Sequence, residues 1–323
     1  MPSPVPEFNW NAPELRALIR HALEEDHAGD DRTTDAIFPA VPCPAQGWLL
    51  ARQEACVCGL PLVARVLEEW MAMRNVNGPA AAISIHLRAR EGDWAHADQC
   101  VLEIAADIRA LLACERTLLN FVQHLSGIAT LTHRYLEQLK GTRARLLDTR
   151  KTLPGLRTLE KYAVACGGGH NHRPHLAGGI LIKNNHLALL AGMETEPEPN
   201  AVALALARAG TQVGLGVEIE VRSEQELEQA LAAGADWILL DNFSPAQVGA
   251  AVRRVEGRAR LEVSGGIRLE TIHEYAQTGV DAISAGALTH SAPAADFSLR
   301  ISAEPDHQGR TLERRSKKSG AST

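Results

Sequence analysis

The chain is short of cysteine, long apolar runs and basic blocks, and each shortage excludes a class of protein. Six cysteines (Cys43, Cys56, Cys58, Cys100, Cys114, Cys166) in 323 residues are too few for a disulfide scaffold, so a reduced, cytoplasmic protein is expected. No apolar stretch reaches the roughly 20 residues that a membrane-spanning helix needs. The formal net charge is -6, and no long basic block occurs before the last dozen residues. That argues against a nucleic-acid or membrane-surface partner. The opening MPSPVPEFNWNAPE has no basic segment followed by an apolar one, so no signal peptide is expected. What is present is ordinary for a globular protein: 45% hydrophobic and 22% charged residues. The length allows two domains, or one large α/β barrel with an addition.

In chain order, PELRALIRHALEEDHA places Leu15, Leu18, Ile19 and Ala22 at helical spacing behind Pro13, and residues 1–28 read as a helical segment. Asp30–Thr34 breaks that pattern. Between 29 and 115, β-prone pieces (GWLLARQ, AISIHLRA, CVLEIAA) surround an amphipathic helix, LPLVARVLEEWMAM, which suggests a small α+β domain with an antiparallel sheet. Leucines and other apolar residues recur helically from 106 to 140, and a second domain is expected over 116–300. From Leu146 short apolar runs alternate with helical segments that mostly end at glycine. Six βα units imply a parallel sheet, either open or closed into a short barrel. The segment from 301 to 323 has no apolar periodicity and reads as a disordered tail.

The chemistry concentrates in Leu147–Asn185, which holds six Lys/Arg (Arg150, Lys151, Arg157, Lys161, Arg173, Lys183) against two acids (Asp148, Glu160). In parallel α/β folds, ligands gather at the carboxyl ends of the strands. Those ends offer Asp148, Arg150 and Lys151; Lys183; Glu220; Asp241 and Asn242; Ser264, Gly265 and Gly266; and Ser284 and Gly286. Together they describe a rim for a multiply charged anion. In VEIEV, Val217, Ile219 and Val221 share one face. Glu218 and Glu220 share the other and are expected to point inward, paired with Lys151, Lys183 or a metal ion. His170, His172 and His175 fit no zinc spacing, and anion binding or orientation is the preferred role for His172. Cys56-x-Cys58 lacks the redox spacing. Arg116, in CERTLLNF, reads on its own as a solvated helix-face residue.

DTRKTLPGLRTLEKYAVACGGGHNHR followed by ILIKNNH resembles the signature of the quinolinate phosphoribosyltransferases, the carboxylating nicotinate-nucleotide pyrophosphorylases of NAD biosynthesis. EDHAGDDRTT, ARQEACVCGLP and ERTLLNF before it, and VEIEV, ILLDNF, LEVSGGI and ISAGALTHSAPAADFSL after it, extend the resemblance over nearly the whole chain. The resemblance implies an N-terminal open-faced sandwich joined to an incomplete α/β barrel. It also implies Mg²⁺-dependent joining of quinolinate to phosphoribosyl pyrophosphate, with release of pyrophosphate and CO₂. On matching positions, Thr149, Arg150, Lys151, His172, Arg173 and Lys183 would line the quinolinate and phosphate pocket. Glu220 and Asp241 would serve the ribose and the Mg²⁺–pyrophosphate side, and Lys151, Glu220 and Asp241 would carry catalysis. Ser264-Gly265-Gly266 and Ala285-Gly286-Ala287 would take the 5′-phosphate. Arg116 would reach into the neighbouring subunit of a homodimer. Two positions depart from the family pattern: Asn184 stands where an acid is common, and His170 adds a positive charge at low pH. A paralogue with another acceptor, or a non-catalytic relative that binds the same ligands, is the alternative reading.

Overall fold

The computed structural model describes residues 7–38, 41–78, 82–193, 200–211, 214 and 216–303. Helix α1 (Pro13–Glu25) opens the described chain and buries Leu15, Ile19 and Leu23. Where the sequence pattern broke, a short helix α2 (Arg32–Ile37) forms instead, because the Asp31 carboxylate accepts the Thr34 N–H and caps it. Strands β1 (Pro44–Ala51) and β2 (Ala55–Cys56) precede helix α3 (Leu60–Met73). Strands β3 (Ser84–Leu87), β4 (Trp94–Ala95) and β5 (Cys100–Asp107) follow. β1 alternates buried and half-buried positions, as a strand with one core face must.

Helix α4 (Ile108–Glu137) runs through position 116 without a break, so no structural boundary falls where the sequence placed a domain border. Its stripe of Leu111, Leu118, Val122, Leu125 and Ile128 is buried throughout, which sustains one helix for 30 residues. Beyond it come β6 (Arg145–Leu147), α5 (Arg157–Cys166), β7 (Ile180–Ile182), α6 (Asn184–Met193) and α7 (Ala201–Ala209). Next are β8 (Val217–Val221), α8 (Glu224–Ala232), β9 (Trp237–Asp241), α9 (Pro245–Val255) and β10 (Arg260–Ser264). α10 (Ile272–Ala276), β11 (Ala282–Ser284), α11 (Ala287–His290) and β12 (Phe297–Ser302) complete the order.

Two main sheets result. One is antiparallel, in the order β12-β1-β5-β3; the other has six parallel strands, in the order β6-β11-β10-β9-β8-β7. Because β11 pairs with β6, the parallel sheet wraps around and stays open between β6 and β7. At that gap His170 makes a parallel bridge to Leu147. The architecture is therefore an antiparallel layer joined to an incomplete α/β barrel, as the resemblance implied.

The sequence reading missed β12. The tail was expected from 301, yet Ile301 and Ser302 are strand residues paired to Gly47 and Gln46. The chain thus returns to its first sheet after finishing the barrel. The rest of the expected tail lies outside the described residues. Among the described residues no helix is long and apolar enough to cross a membrane.

The ends of β6 and α5 position the site. Gly167 closes α5 against α4, where a Cβ would lie 2.4 Å from the Ala129 carbonyl oxygen and 2.7 Å from Thr132 Cβ. Only glycine lets the two helices approach this closely, and the approach aims residues 170–173 at the barrel mouth.

Candidate active site

A cavity of about 270 Å³ opens at the carboxyl ends of the parallel strands. β6 delivers Thr149, Arg150 and Lys151 to it, β7 Lys183, β8 Glu220, β9 Asp241, β10 Ser264 and β11 Ser284. The loop after α5 adds His172 and Arg173. Ten of the residues expected at the site therefore converge on one space.

The local charge excess is smaller than the sequence suggested. Lys161 is buried and bonded to the Asp148 carboxylate. Asp148 also accepts the His172 N–H at 2.8 Å and the Asn171 amide at 2.7 Å, while Lys161 donates to the His172 carbonyl at 3.0 Å. Burial pushes Asp148 up and Lys161 down, each opposed by the other. The pair serves as a brace that fixes the backbone of 171–172. Arg157 is likewise engaged, donating to Thr152 Oγ1 at 3.0 Å. Glu160 is fully buried and pairs with His124 at 2.8 Å. Arg150, Lys151, Arg173 and Lys183 remain on the cavity wall.

Three of those four cations, Arg150, Lys151 and Arg173, are under-partnered. The Nε groups of both Arg150 and Arg173 are buried without a hydrogen-bond partner. Burial, and then the neighbouring Arg150 guanidinium, hold Arg173 below its usual value. Lys151 makes no ion pair among the described residues. Two guanidinium groups that repel each other and leave N–H donors unmet describe a site completed by an anion.

The opposite wall is acidic. Glu218 and Glu220 both face inward, as expected, and are buried. Lys183 lies 3.2 Å from Glu220, and Arg222 lies 3.1 Å from Asp241 and 4.0 Å from Glu220. Lys183, and not Lys151, is thus the lysine paired with Glu220. Two carboxylates on adjacent strands fit the needs of Mg²⁺, which takes one or two protein carboxylates and completes its shell with substrate phosphate and water oxygens.

Deeper in, His172 Nε2 lies 3.0 Å from Glu218 and 3.7 Å from Glu262. Glu262 was not singled out in the sequence, although a signal for it exists. In β10 it alternates with Leu261 and Val263 as Glu218 and Glu220 do in β8, so it too points inward. Leu181 and Leu239 also line the cavity and were missed, since apolar strand residues carry no chemical signature.

The glycine loops sit at the rim. Gly265 and Gly266 both have positive φ (97° and 64°), and a Cβ on Gly265 would lie 2.3 Å from Asn242 Oδ1. The chain after β10 thus turns tightly around Asn242. Gly286 lies against the Lys151 stem, where a Cβ would come within 3.0 Å of Lys151 Cδ. Gly265, Gly266, Ala285, Gly286 and Ala287 do not themselves line the cavity. Arg116 is not brought to it either. It is exposed on α4 and borders a separate hollow with Glu25, Asp26 and His124. His170 differs from expectation: burial, then Arg145, push its pKa down, so the extra charge at low pH is opposed. Asn184 donates its backbone N–H toward Glu220 at 3.5 Å.

Comparison with known proteins identifies the family. Residues 31–126 match the quinolinate phosphoribosyl transferase N-terminal domain, and residues 128–300 match the C-terminal domain of the same family. The chain is 41% identical over 290 residues to the nicotinate-nucleotide pyrophosphorylase [carboxylating] of Mycobacterium leprae, covering 88% of this chain and 96% of that one. It is 37% identical over 288 residues to the probable enzyme of that name from Bacillus subtilis, covering 89% and 93%. The crystal structure of NadC from Streptococcus pyogenes superposes with a TM-score of 0.80 at 37% identity, covering 92% of this chain and 99% of that one. With both domains matched and relatives aligned over almost their whole length, the chain belongs to the quinolinate phosphoribosyltransferase family.

Proposed function

We propose that the chain transfers the phosphoribosyl group of phosphoribosyl pyrophosphate to quinolinate with loss of CO₂, giving nicotinate mononucleotide and pyrophosphate for NAD biosynthesis. The observation that carries this reading is the pair of buried, unpartnered guanidinium Nε groups of Arg150 and Arg173, which face two acidic strand ends across one cavity. A dicarboxylate satisfies the first wall and a sugar bearing phosphates suits the second.

Arg150, Arg173 and Lys151 grip the quinolinate carboxylates and turn the ring nitrogen toward ribose C1, an effect of orientation, while His172 lines the same cavity with its ring N–H turned to Glu218. Glu220 and Asp241 lie beneath the ribose, where their charge stabilises the positive character that develops at C1 as pyrophosphate leaves. When bound on the Glu220–Asp241 side, Mg²⁺ neutralises charge on the departing pyrophosphate. Ser264, Gly265 and Gly266, with Ala285, Gly286 and Ala287, take the 5′-phosphate through strand-end backbone N–H groups. Among the described residues no nucleophile is placed for a covalent enzyme intermediate, and none is needed. The working unit is a homodimer in which Arg116, exposed and away from its own cavity, completes the cavity of the other subunit; its position on α4 supports this role.

The test is incubation of the full chain with quinolinate, phosphoribosyl pyrophosphate and Mg²⁺. Pyrophosphate and CO₂ are expected in equal amounts. Turnover with another pyridine but not with quinolinate would favour the paralogue reading, and tight quinolinate binding without product would favour the non-catalytic one.

A further inference from the structure

The floor of the cavity holds a cluster that the assignments above do not use. Glu262 is 1% exposed, lines the cavity, and has no hydrogen-bond partner on either carboxylate oxygen; Glu218 Oε1 is also unpartnered. Three unsatisfied carboxylate oxygens in one buried place require a cation, a proton or a ligand.

His172 decides between a metal and a proton. Its ligand atom lies within 4.8 Å of those of Glu218 and Glu262, which is close enough for the three to share an ion. Yet His172 Nδ1 accepts the Arg173 backbone N–H at 2.8 Å. The ring proton therefore sits on Nε2, which donates to Glu218 at 3.0 Å and has no lone pair to offer a metal. Glu218 Oε2 is the acceptor of that bond. Glu262 is left beside the Glu218 carboxyl with no hydrogen-bond donor on either oxygen, a place where a proton of its own is favoured. Ser284 and Trp237 lie nearby and draw its pKa down partway, without meeting hydrogen-bond geometry. The net effect, from burial first and Glu218 second, is to hold the Glu262 carboxyl up at about 7.

We propose that Glu262 is the catalytic acid of the decarboxylation half of the reaction, and that its proton replaces the departing carboxylate on the pyridine ring. The inference rests on the quinolinate reading above. In the step, the bond from ring carbon 2 to the carboxylate carbon breaks and CO₂ leaves. The electron pair stays on ring carbon 2, next to the positively charged ring nitrogen. In the same step the Glu262 O–H bond breaks and its proton bonds to that carbon as the pair develops, and Glu262 is left as a carboxylate that regains a proton from water before the next turnover. The placement suits this role. Glu262 lines the same cavity as Arg150 and Arg173 on one wall and Glu220 and Asp241 on the other, so a quinolinate held between those walls comes within its reach. Of the other proton carriers facing the cavity, Lys183 is paired with Glu220, the His172 proton is committed to Glu218, and Lys151 is engaged by a quinolinate carboxylate in the reading above.

The experiment is a single turnover of the full-length enzyme with quinolinate, phosphoribosyl pyrophosphate and Mg²⁺, with pyrophosphate and CO₂ followed separately. In Glu262→Gln, CO₂ release is expected to slow by at least about a hundredfold relative to pyrophosphate release, the usual scale for a lost general acid. The undecarboxylated mononucleotide should accumulate. Glu262→Asp should restore part of the CO₂ rate. The wild type supplies a second reading that needs no folded variant: its CO₂ step should weaken as pH rises through about 7. CO₂ keeping pace with pyrophosphate in Glu262→Gln, or a wild-type CO₂ step flat from pH 6 to 9 on the order of these conditions, would overturn the proposal alone. No pyrophosphate from the wild type would overturn the quinolinate reading together with it.

Discussion

Two glutamates, Glu91 and Glu262, sit beside buried partners in this protein and meet opposite fates. Glu91, in the loop between β3 and β4, accepts the Gly59 N–H at 2.8 Å and the Leu60 N–H at 2.9 Å, where α3 begins, and the Tyr162 hydroxyl at 3.0 Å. Cys58 and Cys166 lie against it, and Phe8 and Trp10 pack on Tyr162 with ring centroids 5.0 Å apart. Its acceptors are occupied, and it joins the first domain to α5 of the barrel. Glu262 has the same chemistry and no hydrogen-bond partner on either oxygen. Satisfied polar groups hold elements together, whereas unsatisfied ones mark where something else must bind. The same contrast separates Lys161, committed to Asp148, from Lys151, which is committed to nothing.

The comparison breaks most visibly through activity. Lys151→Ala and Glu220→Ala should fold normally and lose turnover by about a thousandfold or more, measured as pyrophosphate release alongside thermal melting. Near-wild-type turnover in both would remove their assigned roles. On the satisfied side, Glu91→Ala should reduce stability by about 4 kcal/mol, because it strips an N-terminal cap and three donors at once. Urea unfolding would read this, with turnover per folded molecule little changed.

Glu262→Gln should do the reverse and stabilise the protein at pH 8 by roughly 2–3 kcal/mol, with little effect at pH 5. The sign follows from its raised pKa. Between its ordinary value of 4.5 and about 7, the folded protein keeps a proton that the unfolded chain releases. The associated stability is full below 4.5 and is lost as pH rises toward 7. A stability difference between variant and wild type that does not change with pH would contradict it. The smallest effect is expected at Arg222→Ala. Its side chain is half exposed while bridging Glu220 and Asp241, so unfolding should change by less than about 1 kcal/mol.

Much of this contrast was legible in the sequence, and its limits are instructive. Alternation in VEIEV placed Glu218 and Glu220 inside the barrel correctly, because side chains on a strand have a strict period of two. The same rule applied to RLEVS would have found Glu262, but one acid among apolar residues stands out less than two. Charge counting overreached at Lys161 and Arg157, since composition does not reveal which cations are consumed internally. That knowledge needs the fold, which brings Lys161 back onto Asp148 thirteen positions earlier in the chain. β12 was missed for a related reason. FSLRIS has short strand-like alternation, but its partner β1 lies some 250 residues away, and local pattern carries no record of so distant a pairing.

The central claim is that unmet guanidinium donors at Arg150 and Arg173 select a ligand with two carboxylates. The most direct measurement compares kcat/KM for quinolinate with that for nicotinate, which has the same ring and one carboxylate fewer. The account predicts that quinolinate is preferred by at least about a hundredfold, because nicotinate leaves a buried charged donor unpaired. Equal values for the two acceptors would contradict it.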